Sequence, residues 1–152
     1  TVIEPESGRF ASGLVGVGRL PETSTLIGVI RRVLGRGGVL KDKQLLITAG
    51  GTREPLDPVR FITNRSSGKQ GHALAQAAVD AGAEVILISA ARGLTTPYGV
   101  KLIAVETAAQ MQQAVLAHQV SADALIWRQQ FQTFAPVPCP SKRSRSRAMR
   151  AA

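Results

Sequence analysis

One stretch of the sequence constrains the fold more than any other, residues 45–71, which read LLITAGGTREPLDPVRFITNRSSGKQG. It opens with a short apolar run at 45–48 that is typical of a buried strand. A turn of small residues follows at 49–52, and a second small-residue cluster at 66–69 leads into a helix-like segment. Both a glycine turn after a strand and a helix N-terminus present backbone N–H groups to an anion such as a phosphate. Because glycine turns are common, this arrangement alone gives only weak support for nucleotide binding.

The rest of the chain alternates predicted strands with predicted helices. Further strands are predicted at 84–89, at 100–105 and from 122 onwards, and helices over about 22–34, 71–81 and 107–118. Short links between these elements imply an α/β fold with a Rossmann-like parallel sheet and flanking helices. Ligands of such sheets bind beyond the carboxyl ends of the strands, which is where the turns of the 45–71 stretch lie.

Periodicity within each helix predicts which residues face the core. Thr23 or Ser24 is the predicted N-cap of the first helix, and Pro21 suits its first turn. The predicted core-facing residues are Leu26, Ile27, Ile30, Val33 and Leu34 on the first helix, Ala73, Leu74, Ala77, Ala78 and Ala81 on the second, and Met111, Val115 and Leu116 on the third. Residues 1–20 are glycine-rich without clear periodicity, so we expect an irregular segment there.

Length and composition favour one soluble domain. A chain of 152 residues with 44% hydrophobic content can bury a sizeable core. No apolar run approaches the roughly 18 residues that a membrane span needs, and no signal peptide is evident. The single cysteine, Cys139, cannot form an internal disulfide, so we expect a cytoplasmic protein.

The net charge of +9 raises the possibility of nucleic-acid binding, but the charge is unevenly placed. Residues 128–152 hold six Lys/Arg and no acid, whereas residues 1–127 hold 13 Lys/Arg and all ten acids. The RSRSR tail could attract nucleic acid electrostatically, but it has no interleaved aromatics or folded recognition element. A disordered tail is therefore favoured over a nucleic-acid partner.

The string GGTREPLDPVRFITNRSSGKQG closely resembles the signature of phosphopantothenate–cysteine ligase. In bacteria that ligase is usually fused behind a flavin-dependent phosphopantothenoylcysteine decarboxylase, in a bifunctional protein of coenzyme A biosynthesis. The resemblance runs without a gap and includes specific choices such as DPVR and ITNRSSGK.

The resemblance implies a reaction and a set of site residues. The family condenses 4′-phosphopantothenate with cysteine, using CTP and Mg²⁺ to form an acyl-cytidylate from which cysteine's amine displaces CMP. Asn64 matches an asparagine needed for that attack, and Arg60 matches an arginine that reaches phosphopantothenate, across the interface in homodimeric members. The implied nucleotide-binding residues are Gly50, Gly51, Thr52, Ser66, Ser67, Gly68 and Gly71.

Each of these residues also has a plainer interpretation from the sequence alone. Gly50 and Gly51 would suit a tight strand exit, and Ser66 or Ser67 would suit a helix cap. Asn64 in a loop more often stabilises a turn. Lys69 does not meet the Walker spacing, since glutamine follows it. His72 and His118 have no metal-ligand partners in the sequence and are assigned structural roles.

The opening segment SGRFASGLVGVGRLPE resembles the end of the decarboxylase half. Ser12 stands where that family has its proton-donating cysteine, and Leu14 stands where it usually has an acid. A serine hydroxyl is a much weaker acid than a thiol of pKa about 8.5. Decarboxylation is therefore not expected, and FMN would belong to the decarboxylase part that is missing here. Residues 1–40 are interpreted as a remnant of that part and a linker.

The resemblance breaks after Ile126. The family continues with a sequence like Met-Ala-Ala-Ala-Val-Ser-Asp-Phe-Arg-Pro and later Glu-Gln-Lys-Ile-Lys-Lys, but this chain reads WRQQFQTFAPVPCPSKRSRSRAMRAA. Codons compatible with residues 127–152 allow both motifs in a shifted reading frame. We therefore interpret 41–126 as the N-terminal part of the ligase domain and 127–152 as a frameshifted, non-family tail. The segments lost with that shift help to bind substrate and nucleotide, so poor or no activity is expected.

Two other functions remain as alternatives. A generic NAD(P)-binding Rossmann module predicts GxGxxG at the first turn and an acid at the end of the second strand. The chain has AGGTRE and Ser89-Ala90 at these places. A nucleic-acid binder predicts salt-sensitive DNA retention that is lost on deletion of 128–152.

Overall fold

The computed structural model describes residues 2–128, and a four-stranded parallel sheet lies at its centre. In chain order the elements are β1 (Glu6–Arg9), β2 (Val15–Arg19), α1 (Thr23–Gly35), β3 (Gln44–Ala49), β4 (Arg53–Pro55), β5 (Phe61–Thr63), α2 (Lys69–Asp80), β6 (Glu84–Ser89), β7 (Lys101–Ala104), α3 (Ala108–His118), a 3₁₀ turn (Gln119–Ser121) and β8 (Ala124–Ile126). The predicted Rossmann-like α/β fold is confirmed. No helix in residues 2–128 combines the length and apolarity that crossing a bilayer requires.

The sheet has the strand order β7-β6-β3-β8, and all of its pairs are parallel. In the register of β3 with β6, Gln44 pairs with Glu84 at one end and Ala49 with Ser89 at the other. The carboxyl ends of the two central strands therefore lie side by side. The chain moves from β3 to β6 and β7 on one flank and then returns to place β8 on the other flank. Such a reversal of direction creates a crevice at the carboxyl edge of an open α/β sheet.

Helices cover both faces of the two central strands, which is why β3 and β6 are apolar along their whole length. One core layer joins the sheet to α2 and the other joins it to α3. The first consists of Leu45, Ile47, Ala49, Ala75, Ala78, Val79, Ala83, Val85 and Leu87. The second consists of Leu46, Ile86, Ile88, Ala90, Met111 and Val115.

The buried face of α2 differs from the predicted one. Ala73 and Ala77 are exposed, whereas Gly71, His72 and Ala75 are buried. The cause is a close approach to β3, because a Cβ built on Gly71 would stand 2.5 Å from the Cβ of Ala49. That contact sets the rotation of the helix, and the small-residue periodicity does not reveal it. The helix nevertheless ends as predicted, at Gly82, whose φ is 97°.

The predicted core stripe of α1 was also wrong. Ile27, Ile30 and Leu34 are exposed, while Val29 is buried and Gly35 packs on the carbonyl oxygens of Val79 and Asp80. Neither Thr23 nor Ser24 caps the helix, since the N-cap residue is Glu22 and it makes no side-chain capping bond. On α3, Met111 and Val115 are buried as predicted, but Leu116 is 54% exposed.

Two β-hairpins form in segments for which the sequence predicted no strand. In the first, β1 pairs with β2, and the Phe10 ring lies over Gly16 and Gly18, where a Cβ would be 3.2 Å from it. In the second, β4 pairs with β5, with Arg53 opposite Thr63. The second hairpin lies within the 45–71 stretch.

Candidate functional site

Three turns meet at the carboxyl edge of the sheet. Gly50 follows β3 with a φ of 84°, and Gly68 precedes α2 with a φ of 76°. A Cβ on Gly50 would lie 2.5 Å from the Ala91 nitrogen, and one on Gly68 would lie 2.5 Å from the Ala91 Cβ. Both the positive φ and the lack of space require glycine at these two positions. We call Gly50, Gly68 and Ala91 the glycine junction.

The first turn of α2 borders a cavity of about 250 Å³. Its lining residues are Arg65, Ser66, Ser67, Gly68, Lys69, Gln70, Gly71 and Arg128. Gly68 is the N-cap residue and offers no side-chain cap, while Ser67 Oγ accepts a long bond of 3.4 Å from the Lys69 N–H. Three cationic side chains therefore surround a helix N-terminus, and both the charges and the helix dipole favour an anion there.

A second cavity, of about 370 Å³, adjoins the first and shares Arg65, Ser66 and Ser67 with it. Its other lining residues are Gly51, Arg53, Thr63, Asn64, Ala90, Ala91 and Arg92. The two cavities together extend over the carboxyl ends of β3 and β6. Parallel α/β sheets bind their ligands at this edge.

The loop that carries Asn64 is held by backbone contacts. The Asn64 carbonyl oxygen accepts from the Ser66 N–H at 2.7 Å, and a Cβ on Gly51 would lie 2.8 Å from that oxygen. Asn64 and Gly51 thus lie on neighbouring segments of the chain, and both line the second cavity. Thr52 lies buried beneath them, and its carbonyl oxygen accepts a 2.8 Å bond from Thr63 Oγ1.

The β4–β5 hairpin is fastened to α3 by the signature residue Glu54. Its carboxylate accepts from the Ala108 N–H at 2.8 Å, and the Arg53 N–H donates to the Glu106 carbonyl oxygen at 2.8 Å. Thr107 caps the same helix through a capping box with Gln110. Sequence reasoning missed the role of Glu54 because its partner lies 54 residues further along the chain.

Arg60 lies near the tip of this hairpin and lines neither cavity. Asp57 holds it: Oδ2 accepts from Arg60 Nε at 2.6 Å, and Oδ1 accepts from the Val59 and Arg60 N–H groups at 2.9 and 2.7 Å. The Val59 N–H, then the Arg60 guanidinium and the Arg60 N–H, lower the pKa of Asp57. The structure therefore presents Arg60 on an exposed tip, apart from the predicted nucleotide-binding residues.

Arg128 lies in the first cavity, although the sequence had given no reason to expect it there. Its N–H donates to Thr48 Oγ1 at 3.0 Å, and its Nε donates to Gln70 Oε1 at 2.8 Å. These contacts carry the guanidinium from the end of β8 across β3 to the first turn of α2. The backbone bond to Thr48 also shows that the chain keeps its course over the sheet for two residues beyond β8.

The remaining predicted residues are placed as follows. Gly71 both packs on Ala49 and lines the first cavity. Ser12 lies exposed in the turn of the β1–β2 hairpin, on a sheet separate from the one that bears the cavities. Within residues 2–128 no cluster of three or more His, Cys, Asp or Glu is arranged to hold a metal ion.

A cavity of about 600 Å³, larger than either of the two at the carboxyl edge, lies at the opposite, amino edge of the sheet. Arg32, Arg36, Lys41 and Lys43 are among its lining residues, and it contains none of the predicted site residues. Ligands of parallel sheets bind beyond the carboxyl ends, so we assign the functional site to the two smaller cavities.

Known proteins resemble this chain in sequence and in fold. Residues 40–144 match the family described as DNA/pantothenate metabolism flavoprotein C-terminal domain, a match that continues past the described residues. The chain is 44% identical over 140 residues to the coenzyme A biosynthesis bifunctional protein CoaBC of Mycobacterium tuberculosis, covering 89% of this chain and 34% of that protein. It is 46% identical over 127 residues to the CoaBC protein of Bacillus subtilis, covering 82% of this chain and 31% of that protein.

A solved structure gives the same result for the fold. The crystal structure of the C-terminal domain of a CoaBC protein superposes with a TM-score of 0.55 at 51% sequence identity, covering 57% of this chain and 44% of that one. The chain spans about a third of the length of the curated relatives that it matches.

Proposed function

The chain belongs to the DNA/pantothenate metabolism flavoprotein C-terminal domain family, and from this premise we propose that it carries part of a phosphopantothenate–cysteine ligase site. The CoaBC relatives are bifunctional proteins of coenzyme A biosynthesis by name. The proposed part is the phosphate-facing half, which comprises the glycine junction, the first turn of α2 and the Asn64 loop.

The observation that carries this proposal is the α2 N-terminus at a cavity lined by Arg65, Lys69 and Arg128, with Gly68 joining that cavity to Gly50 at the glycine junction. Backbone N–H groups and three cations suit the triphosphate of a nucleotide. In the proposed reaction a carboxylate oxygen of 4′-phosphopantothenate attacks the α-phosphorus of CTP, and pyrophosphate leaves. The amine of cysteine then attacks the acyl carbon and CMP leaves, with loss of a proton from the amine.

In the proposed site the residues act by binding and positioning. The glycine turns and the first turn of α2 hold phosphate oxygens, a role assigned to Gly50, Gly51, Thr52, Ser66, Ser67, Gly68 and Gly71. Asn64, on the wall of the adjoining cavity, is proposed to contact the acyl-nucleotide while the amine attacks. Such sites work by orientation and by fixed dipoles rather than by a nucleophilic side chain. Mg²⁺ would neutralise charge on the phosphates, and the residues described here fit a metal that arrives with the nucleotide.

Arg60 is proposed to bind phosphopantothenate at the site of a second copy, in a homodimer. Two observations support this: the residue lines neither cavity of its own chain, and Asp57 occupies only its Nε. The terminal nitrogens of the guanidinium take no part in that contact, and a guanidinium suits bidentate binding of a phosphate or carboxylate.

We further propose that the chain is cytoplasmic and that its own turnover is poor or absent, because the family segments expected after residue 126 do not follow in this reading frame. Decarboxylation is not proposed, since Ser12 replaces the cysteine and lies on a separate hairpin. Sequencing the DNA around codon 127 tests the frameshift; absence of the two family motifs from the shifted frame would remove that explanation.

Two measurements test the proposed function. Titration of the ¹⁵N-labelled chain with CTP and Mg²⁺, and separately with 4′-phosphopantothenate, should shift the amide signals of Gly50, Gly68 and Ser67. Unchanged signals with both ligands would overturn the proposal. A steady-state assay of CMP release that depends on phosphopantothenate and cysteine should give no more than marginal turnover, and robust turnover would contradict the assignment of an incomplete site.

A further inference from the structure

A buried histidine on α2 lies next to the site but has no part in the proposed chemistry. His72 is 8% exposed and belongs to the face of α2 that packs on the sheet. Its Nδ1 lies 3.3 Å from the Thr95 carbonyl oxygen, and its Nε2 lies 3.2 Å from Ser89 Oγ. The ring nitrogens thus contact the last residue of β6 and the segment that follows it, rather than other parts of α2.

The neighbours of the ring fix its tautomer. Ser89 Oγ accepts a 3.2 Å bond from the Ala91 N–H, so the serine hydrogen is available to His72 Nε2. The carbonyl oxygen of Thr95 can only accept, so Nδ1 carries the hydrogen and donates it. A neutral imidazole with hydrogen on Nδ1 satisfies every group in this chain of bonds. Buried polar groups are normally paired in this way.

The chain of bonds ends at the glycine junction. Ala91 contacts both glycine positions, since Cβ atoms built on Gly50 and Gly68 would each come within 2.5 Å of it. Ala90, Ala91 and Arg92 also line the second cavity, opposite Asn64 and Ser66. The hydrogen bond from the Ala91 N–H to Ser89 therefore sets the position of one wall of that cavity.

We propose that His72 is a positioning residue for the nucleotide site. Through Ser89 it fixes the backbone at Ala91, and through Thr95 it holds the segment after β6 against α2. It thereby sets the separation between the wall at Ala91 and the first turn of α2, where phosphate would bind. The inference rests on the proposed function for its ligand, but the link from His72 to Ala91 is a property of the free protein.

A set of four variants tests the proposal. His72→Phe keeps a planar aromatic ring and removes both nitrogens, His72→Gln retains a donor and an acceptor, and Ser89→Ala removes the middle group. His118→Phe is the matched control, because the His118 ring bonds to the Ala114 carbonyl oxygen of its own helix. Calorimetric titration with CTP and Mg²⁺ gives the affinity, urea unfolding gives the stability, and hydrogen exchange gives the protection of the Ala91 amide.

We expect His72→Phe and Ser89→Ala each to weaken CTP binding about tenfold, the size of effect that one lost hydrogen bond produces. The double variant should be no weaker than either single one, because both changes break the same chain of bonds. His72→Gln should recover most of the affinity, and His118→Phe should leave it unchanged. The Ala91 amide should exchange faster in His72→Phe and Ser89→Ala without ligand.

Several results would overturn the inference. Wild-type affinity in His72→Phe, additive losses in the double variant, or unchanged Ala91 exchange would each do so. If His72→Phe does not fold, Ser89→Ala and His72→Gln give the same comparison. If the wild-type chain itself does not bind CTP, the proposed function fails, while the exchange of the Ala91 amide still decides whether His72 holds that segment.

Discussion

The two edges of the parallel sheet are built in different ways. At the carboxyl edge, backbone packs on backbone: Gly50, Gly68 and Ala91 meet with no room for a further carbon atom. At the amino edge, side chains help to hold the start of β8 to β3, with Lys43 Nζ at 2.9 Å from Asp123 Oδ1 and the Gln44 N–H donating to Oδ2 at 2.8 Å. These side chains can adjust to a substitution, whereas the backbone of the glycine junction cannot. The wall proposed to hold phosphate is therefore fixed by backbone packing.

The strongest test of this difference is Gly50→Ala. The added carbon would meet the Ala91 nitrogen, and an alanine at this position would also have to adopt a left-handed backbone conformation. We expect a loss of about 3 kcal/mol in the free energy of unfolding, from overpacking and backbone strain together. Urea unfolding followed by circular dichroism measures it.

Gly93→Ala is the control for Gly50→Ala. Gly93 has a similar φ of 73°, but a Cβ there meets nothing within 4 Å. Gly93→Ala should lower the free energy of unfolding by about 1 kcal/mol, from backbone strain alone. Equal losses in the two variants would show that the glycine junction has more room than the geometry indicates.

A smaller effect is expected from Gly71→Ala, where φ is not positive and only space is limiting. The new carbon would lie 2.5 Å from the Cβ of Ala49, so we expect a loss of about 2 kcal/mol. Adding Ala49→Gly removes the clashing carbon and should restore part of the stability. Thermal unfolding of the two single variants and the double variant gives the coupling between the two positions. Purely additive losses would contradict the close approach of α2 to β3.

The smallest effect should come from the amino edge, with Asp123→Asn. The Gln44 N–H, then the Lys43 ammonium, hold the pKa of Asp123 below its ordinary value of 3.8. A lowered pKa contributes stability that is present above the unfolded value and is lost as the pH falls through the folded value. As the pH is lowered below 4, the urea midpoint of the wild-type chain should therefore decrease more than the urea midpoint of Asp123→Asn. Parallel pH profiles would show that this contact does not stabilise the fold.

Local patterns were enough to predict the helices and the parallel strands, but not the two hairpins or how the elements face one another. The strand Glu84–Ser89 has the bounds that its apolar run predicted, because a strand buried on both faces is apolar throughout. The rotation of α2 could not be predicted, since it depends on the contact of Gly71 with Ala49 across the chain. The β4–β5 hairpin was missed because it is held by the contact of Glu54 with the first residue of α3 rather than by alternating apolar residues.

The candidate site shows the same division. The glycines could be identified from the sequence because no other residue suits their backbone, and their nucleotide-binding role remains a prediction. The link between His72 and Ser89 and the position of Arg128 depend on which strands are neighbours, and spacing does not reveal that. The non-family tail was predicted for 127–152, and all of it from residue 129 onwards, with Cys139, lies outside the described part of the chain, while the family match reaches residue 144.

The place of β8 in the sheet has a consequence for how the chain folds. The contact between the Gln44 N–H and Asp123 joins residues 79 positions apart, and β8 pairs with β3 beside it. Closing so long a loop is slow, so we expect β3 and β6 to assemble first and β8 to dock late. During synthesis on the ribosome, one side of β3 would stay open until residue 126 had emerged from the exit tunnel. That interval is when this chain is most exposed to aggregation and to chaperones.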